Sequence, residues 1–291
     1  MKKITLFFFL SFYLNFSAQQ NYSWLKLNKH QVMILGDSLK ENSGLDFFQD
    51  RLYTLNDSGN SSDIFEIERK TGKIKKILKT NFVNIDWEAI ASDSSNLYIG
   101  DFGNNAGTRK NLAVYKIPIQ DSLQVKSATK IPFYYPEQKT FEPKNLNTDF
   151  DAEAMIYLNG KIHIFTKEWS SKSTTHYTIK TESTESQAAE KIETIPLDYV
   201  VTDAAYFNKK LYLVGYTKKT EVFMTVFDES APGIFFGKKP RRFYLGSALS
   251  VGQIEGIAVD EEGLFISGEQ FTSPFGKVKP RFYFVPAHQL K

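Results

Sequence analysis

Five positions in this 291-residue chain carry side chains able to hold a cation, and all five recur in one local setting. Ser43, Glu88, Glu153, Asp203 and Glu255 each stand immediately before Gly or Ala, at the head of a short apolar run: SGLDFF, EAIAS, EAMIYL, DAAYF and EGIAV. Successive positions are 45, 65, 50 and 52 residues apart. Four of the five are carboxylates. If they converge at about 6 Å, each pair repels by roughly 3 kcal/mol at an effective dielectric near 20, and six pairs by on the order of 16 kcal/mol. That exceeds the stability of most domains, so such a ring requires a cation, protonation or basic partners. Oxygen-only donors in a wide, adjustable ring favour Ca²⁺ over Zn²⁺, and Ca²⁺ is the expected divalent ion outside a cell. The competing arrangement turns some carboxylates sideways to accept hydrogen bonds from neighbouring strands.

A second set lies 13 or 14 residues further on: Asp57, Asp101, Lys167, Tyr216 and Glu269. Around it fall NDSGN (Asn56 to Asn60), GDFGNN (Gly100 to Asn105), Arg109, Glu168, Trp169 and Lys218. Asn60, Asn104 and Asn105 read as turn residues, and Asp86 and Asp151, two places before the ring, as strand-entry caps. Other constellations carry less. The four histidines, His30, His163, His176 and His288, have no ligand spacing, and His163 reads as packed on a strand. No GxSxG elbow or phosphate loop opens a helix. The basic clusters Arg69 to Lys76 and Lys238 to Arg242 read as solvated edges.

The elements that must position these residues repeat with the chemistry. In each unit a short apolar strand is followed by a tight turn, as at Asn159-Gly160, Asn208-Lys209 and Glu262-Gly263, and then by an alternating strand. Third strands follow at IFEIER, LAVYKI, HYTIK, FMTVF and RFYFV, and fourth strands at IKKILK, IPFYY, AEKIETIPL and RRFYL. The last unit stops after three, and WLKLNKHQVMI, before the first unit, can supply the fourth and close a ring. This predicts an all-β fold, a β-propeller of five four-stranded blades closed by the N-terminal strand. The rival is a sixth blade hidden between Asp121 and Asp149, which otherwise reads as an extended loop plus an outer strand of the second unit. Antiparallel return of the chain places the second set of residues around the mouth of the channel that the first set lines.

Composition bounds the setting. Residues 1–18 have the form of a signal peptide, with Lys2 and Lys3, an apolar run from Ile4 to Phe16, and Ser17-Ala18. Residues 19–291 then form a single propeller domain. Cleavage after Ala18 leaves 34 of the 36 Lys and Arg residues against 33 Asp and Glu, which argues against a nucleic-acid partner. No later stretch is long and apolar enough for a membrane helix. The absence of cysteine excludes disulfides, thiolate metal sites and a cysteine nucleophile. The chain is expected to be exported (secreted, periplasmic or at the cell surface) and monomeric, with a small-molecule or extracellular ligand at the channel face.

The motifs ENSGL, DWEAI, DAEAM, TDAAY and IEGIA, each followed by an LYI-like strand, resemble those of the soluble calcium-activated nucleotidase (apyrase) family. That resemblance implies a five-bladed propeller with a central Ca²⁺ held by one Ser or Glu from each inner strand. Ser43, Glu88, Glu153 and Glu255 match in type, and Asp203 stands where the family has a serine. The motifs DWEAIA, LYIGDFGNN and IEGIAV are also similar to secreted, mostly uncharacterised bacterial propellers related to the esterase-like phytase group. Two functions fit these residues. One is an extracellular ligand-binding or scaffold module with a structural Ca²⁺. The other is a Ca²⁺-dependent phosphoester or nucleotide hydrolase, in which Arg109 and Lys167 neutralise phosphate oxygens and Asp57 or Asp101 acts as general base.

Overall fold

Each repeat unit begins with an inner strand buried on both faces, because apolar residues there meet the neighbouring blades as well as the channel. The outermost strands, such as Ile74–Lys79 and Glu190–Pro196, instead carry charged residues outward. In the computed structural model, which describes residues 22–119, 125, 127–274 and 276–290, this pattern builds five four-stranded antiparallel blades. The first blade runs Asn42–Phe48, Arg51–Asn56, Asp63–Ile67 and Ile74–Lys79. The second runs Trp87–Ser92, Asn96–Asp101, Ala113–Pro118 and Thr129–Tyr134. The third runs Ala152–Leu158, Lys161–Thr166, Ser173–Lys180 and Glu190–Pro196. The fourth runs Val200–Phe207, Lys210–Tyr216, Glu221–Asp228 and Arg241–Ser247. The fifth is Gln253–Val259, Gly263–Glu269 and Arg281–Pro286, completed by Gln31–Ile34.

The core is distributed as five apolar layers, one between each pair of neighbouring blades. That is the propeller solution to burying both faces of a twisted sheet. The hairpins carry the expected turn chemistry, with positive φ at Asn159 and Gly160 and again at Asn208 and Lys209. The stretch 121–149 contributes the outer strand of the second blade, and no sixth blade forms among the described residues. The proposed signal segment lies outside them. No helix among the described residues is long and apolar enough to cross a membrane.

Ring closure is narrower than the sequence reading. Only Gln31–Ile34 pairs with the fifth blade, in register with Arg281 to Tyr283. Ser23–Trp24 instead lies parallel to the outer strand of the fourth blade. The N-terminal arm thus ties two blades together, with Leu25, Leu27 and Leu35 buried along it. A similar two-residue parallel pairing joins Gln187–Ala188, in the third unit, to the outer strand of the second blade. Deleting residues 21–35 should therefore cost on the order of 5 kcal/mol, from three buried leucines and an unpaired strand edge. Urea denaturation would measure it, and a loss no larger than that from trimming an equally long exposed loop would contradict ring closure by this arm.

Candidate functional site

Every inner strand is interrupted near its start by a β-bulge, at which one residue drops out of the ladder with the second strand. The residues left out are Gly44, Glu88, Glu153, Thr202 and Glu255. Bulges re-aim side chains, and in the second, third and fifth blades this turns a glutamate towards the channel mouth. The first and fourth blades are out of phase with the sequence repeat by one residue, in opposite senses. Ser43 precedes its bulge, where Gly44 adopts a φ of 66° beside the backbone of Ala89 and Ile90. Thr202 occupies the bulge of the fourth blade and Asp203 follows it. The two hydroxyls are used alike: Ser43 Oγ donates to Glu88 O, and Thr202 Oγ1 to Ile254 O, each at 2.6 Å.

Asp203 is thereby removed from the ring expected of it. Its carboxylate is wholly buried, and Oδ2 accepts the backbone N–H of Ile257 at 2.7 Å and of Leu45 at 3.2 Å. It fastens the fourth blade to the fifth and the first, while among the described residues its Oδ1 has no hydrogen-bond partner. Burial pushes this carboxyl well above the usual range against the pull of those N–H groups, and Asp46 adds to the rise.

The remaining residues enclose a cavity of about 310 Å³ at the channel mouth, lined by Ser43, Asp57, Glu88, Glu153, Glu255 and Glu269 together with Lys167, Trp169, Tyr216, Gln253, Asn105 and Leu146. Both predicted sets converge here, apart from Asp203 and Asp101. Lys167 is the only cationic residue among the lining groups. It is ion-paired with Glu153, both side chains being about 95% buried, and its ammonium faces the rings of Trp169 and Tyr216 at 5.4 and 5.5 Å. Burial would lower the Lys167 pKa, but Glu153, Tyr216, Glu255 and Asp151 together outweigh it and hold the ammonium charged. Gln253 donates to both Glu255 and Glu269, a link the sequence reading missed. Burial raises the Glu255 carboxyl, and Lys167, Gln253 and Tyr216 offset part of that rise.

Glu88 is different. It is 3% exposed, and among the described residues no donor reaches its carboxylate. Burial, then Asp57, Glu153 and Asp86, push it well above the usual carboxylate range. Asp57, raised to about 6 mainly by burial and secondarily by Asp86, is capped by the Ser58 N–H. Asp86, read from sequence as a strand cap, also joins the site: one oxygen from each of Asp57, Asp86 and Glu88 lies within 4.8 Å of the others. At that separation each ionised pair repels by about 3 to 4 kcal/mol for an effective dielectric near 20. Gly103, in the GDFGNN loop, makes room for them, since a Cβ there would fall 2.2 Å from Glu88 Oε1 and 2.5 Å from Asp86 Oδ2. Asp151, read from sequence as a strand-entry cap, instead accepts from Asn104 N in the second unit at 2.6 Å.

Arg109 and Asp101, two of the residues assigned to the hydrolase reading, are bound to each other. Arg109 Nη2 donates to Asp101 Oδ1 at 2.8 Å and Nη1 to Gly103 O at 2.8 Å, with Asp86 at 3.9 Å. Neither lines the cavity. A phosphate clamp built on Arg109 and Lys167 and a general base at Asp101 are not assembled; Lys167 and Asp57 are the hydrolase candidates that reach the mouth. Two histidines without ligand spacing along the chain are joined by the third blade. His163 Nδ1 lies 2.7 Å from His176 Nε2 in a buried stack, with His176 Nδ1 3.2 Å from Glu193. Adjacent strands bring them together, which spacing along the chain cannot reveal.

No protein-family model matches the chain, and no curated protein is similar to it. Solved structures share its general form. The glutaminyl cyclase of Myxococcus xanthus superposes with a TM-score of 0.46 at 14% identity, over 87% of this chain and 97% of that one. A chain of the hydrazine synthase of Kuenenia stuttgartiensis does so with a TM-score of 0.42 at 13% identity, over 83% and 59%. Likenesses this distant carry no activity across. The blade count and the site are read from this chain's own strands.

Proposed function

We propose that this protein is an exported, extracellular ligand-binding propeller with a divalent cation, Ca²⁺ by the chemistry of its donors, at the mouth of the central channel. The observation that carries this reading is the imbalance within one small cavity: five carboxylates line it against the single ammonium of Lys167. All the candidate ligands are oxygen donors, with no cysteine in the chain and no histidine in the lining. Lys167 already supplies the charge facing Glu153, so the side of the cavity away from it is left to a further cation or to protonation of Glu88 and Glu269, whose carboxyls burial pushes well above the usual range. A bound ion would present open coordination positions to an anionic or hydroxylated small molecule, with Lys167 as a second positive contact and Trp169 as a flat wall. The motif resemblance to the calcium-activated nucleotidases makes nucleotides and phosphoesters the first ligands to try. Hydrolysis is the less supported reading, because Arg109 and Asp101 are engaged with each other.

Chelation of purified protein should lower its melting temperature, and Ca²⁺ at a hundredfold excess over Kd should restore roughly 5–10 °C by mass action. Calorimetric titration of nucleotides and phosphoesters with and without Ca²⁺ would then identify the ligand class, and phosphate release in the same samples would report turnover. A melting temperature indifferent to both chelator and Ca²⁺ would refute the cation.

A further inference from the structure

We propose that the cation seat lies off the channel axis, between the first and second blades, and is formed by Asp57, Asp86 and Glu88. This rests on the reading that the mouth binds a divalent ion and assigns the residues that hold it. The ring expected from the sequence offers a poor axial seat. Asp203 is turned into the blade junctions, the Ser43 hydroxyl donates to a backbone carbonyl, Glu153 holds Lys167, and Glu255 and Glu269 share Gln253. An axial ion would have to displace the Lys167 ammonium.

The off-axis position is less encumbered: Arg109 approaches Asp86 only at 3.9 Å and gives its hydrogen bonds to Asp101 and Gly103 instead. Its three carboxylates present oxygens within 4.8 Å of one another, and Glu88, deeply buried, has no donor among the described residues. Three oxygens evenly spaced around one Ca²⁺ at about 2.4 Å lie about 4.2 Å apart, so small side-chain rotations that draw these carboxylates together would let them share one Ca²⁺, whereas Mg²⁺ at about 2.1 Å demands a tighter set. Without nitrogen or sulfur donors, Zn²⁺ is disfavoured. Gly103 leaves the space that two of the carboxylates occupy, where any larger residue would collide with both. The remaining face of the ion would open to the cavity, where Asn105 and solvent can complete a coordination shell of six to eight oxygens.

The test is Ca²⁺ binding by calorimetry and Tb³⁺ luminescence sensitised through tryptophan, on the full mature chain and three variants. Asp57→Asn and Asp86→Asn should each weaken binding by about tenfold or more, because ligand charge sets affinity, while Glu255→Gln should change it by less than about threefold. In chelator the two asparagine variants should melt at or above the wild-type temperature, since each relieves repulsion, which separates loss of the ion from loss of the fold. If Glu255→Gln abolishes binding while the asparagine variants retain it, the ion sits on the axis and this assignment is overturned, although the cation itself stands. If the wild-type chain binds neither Ca²⁺ nor Tb³⁺, both the assignment and the cation reading fall.

Discussion

Replacing Lys167 by methionine should destabilise the protein by about 3–5 kcal/mol, measured in chelator by guanidinium denaturation near pH 8. Methionine keeps the packing against Trp169 and Tyr216, so the change removes the charge and little else. What remains is the Glu153 carboxylate, 96% buried at the side chain and already pushed up by burial and by Glu255 and Asp151, with its only cationic partner gone. Removing one member of a buried pair costs far more than removing both. The double variant with Glu153→Gln should therefore recover most of the loss. The penalty should also shrink on acidification. Without Lys167 the folded-state pKa of Glu153 lies further above its unfolded value, so its contribution is most favourable at low pH and is lost as pH rises through the folded pKa. A single variant as stable as the wild type, or a double variant no better than the single, would show that the pair does not hold the site together.

The second large effect belongs to Asp203. Alanine there should cost about 3 kcal/mol, because it strands the N–H groups of Leu45 and Ile257 in two other blades, at about 1–3 kcal/mol for each unsatisfied group. Asparagine should behave differently, since its carbonyl can accept both bonds while its amide occupies the place of the unpartnered Oδ1. The pH dependence follows from the raised pKa. The folded state favours the protonated carboxyl, so wild-type stability from this group is full below the ordinary carboxylate range and declines as pH rises through the folded value. Asp203→Asn should flatten that decline and exceed the wild type in alkaline buffer. Equal stability of the alanine and asparagine variants across pH would remove Asp203 from the account of how the blades are locked.

Periodicity makes the propeller legible in the sequence. Strand alternation, tight turns such as Asn159-Gly160 and a motif recurring about every 50 residues are local features, and each blade is a local unit. The missing fourth strand was legible for the same reason: a strand edge left open in the last unit requires a partner, and Gln31–Ile34 is the unassigned apolar run able to serve. The acidic mouth followed from repetition as well, because equivalent positions in a closed ring must face a common axis.

What sequence could not fix is the phase of each side chain at the bulge and the partner it meets across blades. One residue of offset separates Thr202 from Asp203, and since successive side chains in a strand point to opposite faces, that offset sends Asp203 to the blade junctions instead of the mouth. Aligning units by acidic residues hides this, because a bulge is set by how neighbouring inner strands crowd one another. Lys167 pairing with Glu153, Arg109 being taken by Asp101, and Asp86 approaching Asp57 and Glu88 are likewise decided in space. The sequence by itself determined that five strand modules close into a ring and that its mouth is acidic, because those follow from local periodicity. Only the tertiary structure decided which charges neutralise each other and which stay open to an ion, because electrostatic energy depends on separations of a few ångströms between groups that the chain holds tens of residues apart.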